Sequence, residues 1–97
     1  FIFKNGTKQR FWMKNTRIPL DIGYFSSNGS LSEVHKAKPH DLSGVPSRSR
    51  DIKFVLELNA GSFKKLGIRL GERLEMNEII KILRHRGLNP KDYNILE

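Results

Sequence analysis

The sequence predicts a mainly β domain, a small antiparallel β-sandwich or barrel-like fold with a C-terminal helix. Three observations lead there. Apolar and polar residues alternate with period two through Leu20–Phe25 and through Ile52–Leu58, the pattern of strands with one face buried. Two Asn-Gly dipeptides, Asn5-Gly6 and Asn28-Gly29, follow apolar runs where hairpin turns belong. From Met76 the period becomes helical, with Met76, Ile79, Ile80 and Leu83 on one stripe.

Taken in order, Phe1-Ile2-Phe3 reads as a short strand closed by Asn5-Gly6. Thr7 to Lys14 would return antiparallel, with Phe11 and Met13 on one face and Arg10, Trp12 and Lys14 on the other. Leu20, Ile22 and Tyr24 alternate with Asp21, Gly23 and Phe25. The turn at Asn28-Gly29 leads into Leu31–Ala37, where Leu31, Glu33, His35 and Ala37 oppose Ser32, Val34 and Lys36. Residues 38–51 are turn-rich and read as a long surface loop, a length that is uncommon in small domains without a function. In the following strand Phe54, Leu56 and Leu58 face one way and Val55 and Glu57 the other.

Gly61 to Leu66 is a short helix stopped by Gly67, and Ile68 to Leu74 a last short strand. Met76 to Arg86 is the main helix, with Glu78 early, Arg84 and His85 late, and Gly87 as its stop. Asn89-Pro90 is an N-cap and first position of a final turn. The division expected is a β domain over 1–74 and a helical extension over 75–97 packed on it, closing the sheet or covering a dimer contact. Both monomer and dimer fit.

Composition narrows the function classes. A chain of 97 residues is one domain, burying roughly 60–65% of its unfolded surface. With no cysteine, disulfides, thiolate catalysis and Cys-ligated zinc are excluded. No apolar run is long enough for a transmembrane helix, no signal peptide is present, and the first residue is not Met. Neither repeats nor low-complexity tracts occur. Eighteen Lys and Arg against ten Asp and Glu give a net +8, which invites an anionic partner.

The segment Phe11-Trp12-Met13-Lys14-Asn15-Thr16-Arg17-Ile18-Pro19-Leu20-Asp21-Ile22 concentrates chemistry around a turn. As a structural corner, Asn15 and Thr16 would satisfy turn amides and Lys14 would pair with Asp21. As a binding site, Lys14, Asn15, Thr16 and Asp21 form a polar cluster beside the Trp12 ring, suited to a small polar ligand such as a sugar or a carboxylate. Both readings stand on these residues alone.

The runs F-W-M-K-N-T and I-P-L-D-I resemble the hallmark of the bacterial family called domain of unknown function 192 (uncharacterised ACR). Val55-Leu56-Glu57-Leu58-Asn59-Ala60-Gly61 is similar to its V-L-E signature, and Gly67-Ile68-Arg69-Leu70-Gly71-Glu72 to its G-I-x-x-G-[DE] element. Phe1-Ile2-Phe3 resembles the end of its M-L-F-x-F strand. These motifs run in the family's order from residue 1 to about 74. Two features depart from the pattern: the upstream stretch with a G-L-M element is absent, and residues 75–97 have no family counterpart. The resemblance implies a compact β-sandwich or barrel-like domain and no established activity. Family members are often exported, which leaves the compartment of this chain open.

Glu57 lies on a strand among apolar neighbours, where burial would raise its pKa; a salt bridge to one of many cations is the plainer account. Asp21 and Glu57 across a cleft would support carboxylate-dependent hydrolysis as a minor alternative. His35, His40 and His85 lack metal-ligand spacing, so no metal is expected. No nucleophile motif, P-loop or dinucleotide fingerprint is present, so no cofactor is expected and a binding role is preferred to an enzyme. Five cations and no acid lie in residues 1–17, and Arg48-Ser49-Arg50 is the densest cationic site of the long loop. A basic module contacting nucleic acid or an anionic partner through Arg10, Arg17, Arg48 and Arg50 is therefore the alternative, with Trp12 or Phe11 stacking on bases. The first reading is a cleft walled by Trp12, Lys14, Asn15 and Thr16 with Asp21 and Glu57 nearby, taking a small polar or anionic ligand.

Overall fold

In the computed structural model, which describes residues 1–11, 18–40, 44–93 and 95, the chain is mainly β with few helices. Four strands form an antiparallel sheet: β1 (Ile2–Thr7), β3 (Leu20–Phe25), β4 (Leu31–Ala37) and β6 (Ile52–Asn59), in the order β1-β6-β3-β4. A two-stranded ribbon pairs β2 (Arg10–Phe11) with β5 (Val45–Pro46). This layout is compatible with a small sandwich.

The central strand β3 explains why the sheet needs cover on both sides. Its residues from Asp21 to Phe25 are all buried, because β4 and β6 flank it and each face is packed. On the first face Ile22 and Tyr24 join Ala37, Val45, Ile52 and Val55, so β5 of the ribbon contributes to this core. On the second face Phe25 and Phe54 pack with Leu31, Phe63, Leu83 and Ile95. Phe63 comes from the short helix α1 (Ser62–Lys65) and Leu83 from α2 (Met76–His85). Met76, Ile79 and Ile80 add the rest of the apolar stripe of α2 to the same layer.

The hairpin between β3 and β4 turns at Asn28-Gly29 as the sequence indicates. Gly29 has φ 84°, and the Asn28 side chain accepts from the Ser30 amide at 2.9 Å. A register shift follows, Tyr24 pairing with Glu33 but Phe25 with Leu31. That bulge turns Leu31 away from the face of Glu33, His35 and Ala37 and into the second core, correcting the simple alternation.

The turn expected at Asn5-Gly6 does not form. β1 continues through both residues to Thr7 and pairs with β6, with an irregular register between Ile2 and Thr7. Gly6 is needed for closeness instead of for a left-handed turn. A Cβ there would fall 1.8 Å from Asp51 Oδ1 and 2.5 Å from Ser27 Oγ, in the corner where Ser27 hydrogen-bonds Asp51. Residues 68–74 make turns, with a single bridge between Ser30 and Arg73, where a strand was expected. The helical tail follows its punctuation: Gly67 and Gly87 take φ 73° and 74°, and Asn89 caps a 3-10 turn (Pro90–Tyr93) by accepting from the Lys91 amide at 3.0 Å.

Candidate functional site

Asp21 stands on β3 in register with Lys36 of β4 and Leu58 of β6, on the face covered by helices. Two residues on, Gly23 leaves the hole into which the Phe63 ring fits. A Cβ at Gly23 would lie 2.4 Å from the ring edge. Seating Phe63 there brings the start of α1 over Asp21. Its Oδ2 accepts from the Gly61 amide at 3.0 Å and, more weakly, from the Phe63 amide at 3.5 Å. Gly61 makes the approach with φ 86°. This part of Asp21 is a structural cap, and it ties a turn to the sheet.

The other oxygen has no such role. Asp21 is only 3% exposed, yet Oδ1 has no hydrogen-bond partner among the described residues. A carboxylate oxygen in that condition carries a desolvation cost that most native sites avoid. Asp21 lines an open cleft of about 510 Å³, together with the apolar side chains of Val34, Phe63 and Ile68 and the cations Lys36, Lys64 and Arg69. Those three cationic side chains are exposed and have no ion pair or hydrogen bond among the described residues. Among the described residues the lining therefore carries three positive groups against one carboxylate.

Glu57 does not share this cleft. It pairs in register with Ile22, one residue along from Asp21, so the two side chains emerge on opposite faces of the sheet. A carboxylate pair flanking one bond, as hydrolysis would require, is not formed, which corrects the grouping of Glu57 with Asp21. Glu57 is half-buried, and no ion pair joins it among the described residues. Trp12, Lys14, Asn15, Thr16 and Arg17 lie outside the described residues. The chain that follows them arrives at the cleft's edge, where the Pro19 carbonyl accepts from the Ala60 amide at 3.2 Å beside Gly61.

On the first face a second polar cluster centres on Glu33, which sequence reading passed over. Its carboxylate accepts from the Arg48 amide at 2.8 Å, the Ser49 amide at 2.8 Å and His35 Nε2 at 2.7 Å. The His35 ring meets Tyr24 edge-on at 5.5 Å, and the Tyr24 hydroxyl donates to the Val45 carbonyl. Burial pushes the Glu33 carboxyl up, but the two amides and His35 outweigh it and hold the group below its ordinary value. The cluster pins the backbone of the 47–51 loop and leaves the Arg48 and Arg50 side chains exposed. Arg10 is exposed as well, with its aliphatic stem lying over Gly44. Among the described residues there is no group of three or more His, Asp or Glu able to hold a metal. No helix among the described residues is long and apolar enough to cross a membrane.

Lys36, Lys64 and Arg69 were not singled out from the sequence. The signal available was register: Lys36 lies on the same strand face as Val34, but only the pairing with β3 sets it opposite Asp21. Lys64 and Arg69 reach the same space through a turn whose direction depends on Gly61 and Gly67.

Residues 1–76 match the family described as domain of unknown function 192, uncharacterized ACR. Two solved structures are similar. One, from Sinorhizobium meliloti 1021 and described provisionally as a transcription regulator, has 42% identity and a TM-score of 0.71 over 77% of this chain and 58% of its own. The other, a protein of unknown function from Novosphingobium aromaticivorans DSM 12444, has 33% identity and a TM-score of 0.63 over 70% of this chain and 49% of its own. The chain thus spans about half the length of the solved structures it matches. No curated protein matches it.

Proposed function

This chain belongs to the domain of unknown function 192 family, uncharacterized ACR, and on that premise we propose that it is a binding domain whose cleft beside Asp21 takes a small anionic ligand. The observation that carries the reading is the convergence of Lys36, Lys64 and Arg69, unpaired among the described residues, on a cleft with apolar walls. Cations so placed focus potential on a concave surface and raise the local concentration of anions. Trp12, Lys14, Asn15 and Thr16 are proposed to complete the wall from the segment that enters beside Gly61. Lys14 would add charge, Asn15 and Thr16 hydrogen bonds, and Trp12 a stacking face.

Calorimetric titration with phosphate, sulfate and small carboxylates tests this. The triple variant Lys36→Ala, Lys64→Ala, Arg69→Ala should lose about threefold to 150-fold in affinity, each exposed cation contributing about 0.2–1 kcal/mol. Equal affinity in the folded triple variant would contradict it.

A second reading is supported by the neighbour described provisionally as a transcription regulator and by the exposed side chains of Arg48 and Arg50 on a loop pinned by Glu33. On that reading Arg10, Arg17, Arg48 and Arg50 contact nucleic acid. Binding of single-stranded DNA that weakens steeply with salt and is lost in Arg48→Ala, Arg50→Ala would favour it over the cleft.

A further inference from the structure

We propose that the ligand of the Asp21 cleft carries two groups, an anion held at the mouth and a hydroxyl held at the floor, as in a phosphorylated or carboxylated polyol. This rests on the ligand-binding reading above and names the chemistry that reading leaves open. The two oxygens of Asp21 differ in their partners. Oδ2 is committed to the Gly61 and Phe63 amides, while Oδ1, on a residue 3% exposed, has no donor among the described residues. A buried acceptor of this kind gains more from an incoming donor than an exposed one, because it has no water to give up.

The surroundings select which donor. A divalent cation needs several oxygen or nitrogen ligands, and among the described residues Asp21 is the one carboxylate lining a cleft that also holds three cations. An ammonium group would meet the same repulsion from Lys36, Lys64 and Arg69. A neutral hydroxyl meets neither difficulty, and its bond to a carboxylate is of the strong, charge-assisted kind.

Depth then orders the molecule. Lys36, Lys64 and Arg69 are exposed, so the anion stays toward solvent, where a hydrated phosphate or carboxylate keeps part of its water. The remaining side chains of the lining are the apolar groups of Val34, Phe63 and Ile68, which suit a short carbon frame and no further charge.

The test compares ligands that differ in the hydroxyl. Glycerol 3-phosphate and propyl phosphate are titrated at fixed ionic strength, and lactate and propionate repeat the comparison for a carboxylate anion. In the wild-type chain the hydroxyl-bearing member of at least one pair should bind about tenfold tighter. Asp21→Asn keeps an oxygen for the Gly61 amide but puts a donor at the orphan position. It exchanges the charge-assisted bond for at most a neutral one donated by the amide, so it should shrink that advantage without weakening the hydroxyl-free members. Equal affinities within both wild-type pairs, or an advantage undiminished in folded Asp21→Asn, would overturn the inference while leaving an anion site. The wild-type comparison decides by itself should the variant fail to fold. Absence of binding by all four probes would overturn this inference and the cleft reading together.

Discussion

Asp21 on the central strand β3 and Glu33 on the edge strand β4 are both carboxylates of the sheet, and their hydrogen bonds separate their roles. Glu33 is saturated by two loop amides and His35, which is the condition of a structural clamp. Asp21 is half saturated, which leaves it chemistry to offer. The clamp has a pH signature. Because folding lowers the Glu33 pKa, its stabilisation is complete above the ordinary value of about 4.5 and is lost as pH falls through the lower folded value. Glu33→Gln keeps the shape but not the charge, so it should cost about 1–2 kcal/mol at neutral pH and flatten the loss of stability below about pH 4.5. Urea midpoints measured from pH 7 to pH 3 check this; parallel curves for the two proteins would contradict it. At this scale the sequence made Asp21 legible through its motif, but it could not reveal which oxygen was engaged. Glu33 looked like one polar residue in an alternating strand, and its role depends on a loop 15 residues away.

The elements were legible where a residue acts on its own backbone. Asn28-Gly29, Gly67, Gly87 and Asn89-Pro90 each fix a local conformation, and each does so in the structure. Asn5-Gly6 has the same local chemistry but is overruled by tertiary contact, since β1 has a partner in β6 and Gly6 is pressed against Asp51 and Ser27. The period-two reading of β4 failed only at Leu31, where a bulge reverses the face. The helical stripe of α2 can be tested by contrast along its length. Leu83 is 2% exposed and shares the core of Phe25 and Phe54, whereas the adjacent Ile82 is 43% exposed. Leu83→Ala should lower stability by about 2–4 kcal/mol and Ile82→Ala by under about 1 kcal/mol, read from denaturant midpoints. Similar losses would mean that α2 packs by a different face.

Across the whole molecule, one sheet separates two chemistries. The ribbon side carries the Glu33 clamp, Glu57 and the exposed Arg48 and Arg50, and the helix side carries the Asp21 cleft. This separation was not legible in the sequence, because facing depends on strand pairing that a linear pattern leaves free. The net +8 pointed to an anionic partner without a location. The fold gathers part of that charge in the cleft, at Lys36, Lys64 and Arg69, and exposes another part on the loop at Arg48 and Arg50. The two candidate surfaces can be resolved in one nitrogen-15 NMR titration with glycerol 3-phosphate. The account predicts saturable shifts at the Gly61 and Phe63 amides, which bond Asp21, and at Arg69, with Arg48–Arg50 unmoved. Shifts confined to Arg48–Arg50, or none at Gly61 and Phe63, would contradict it.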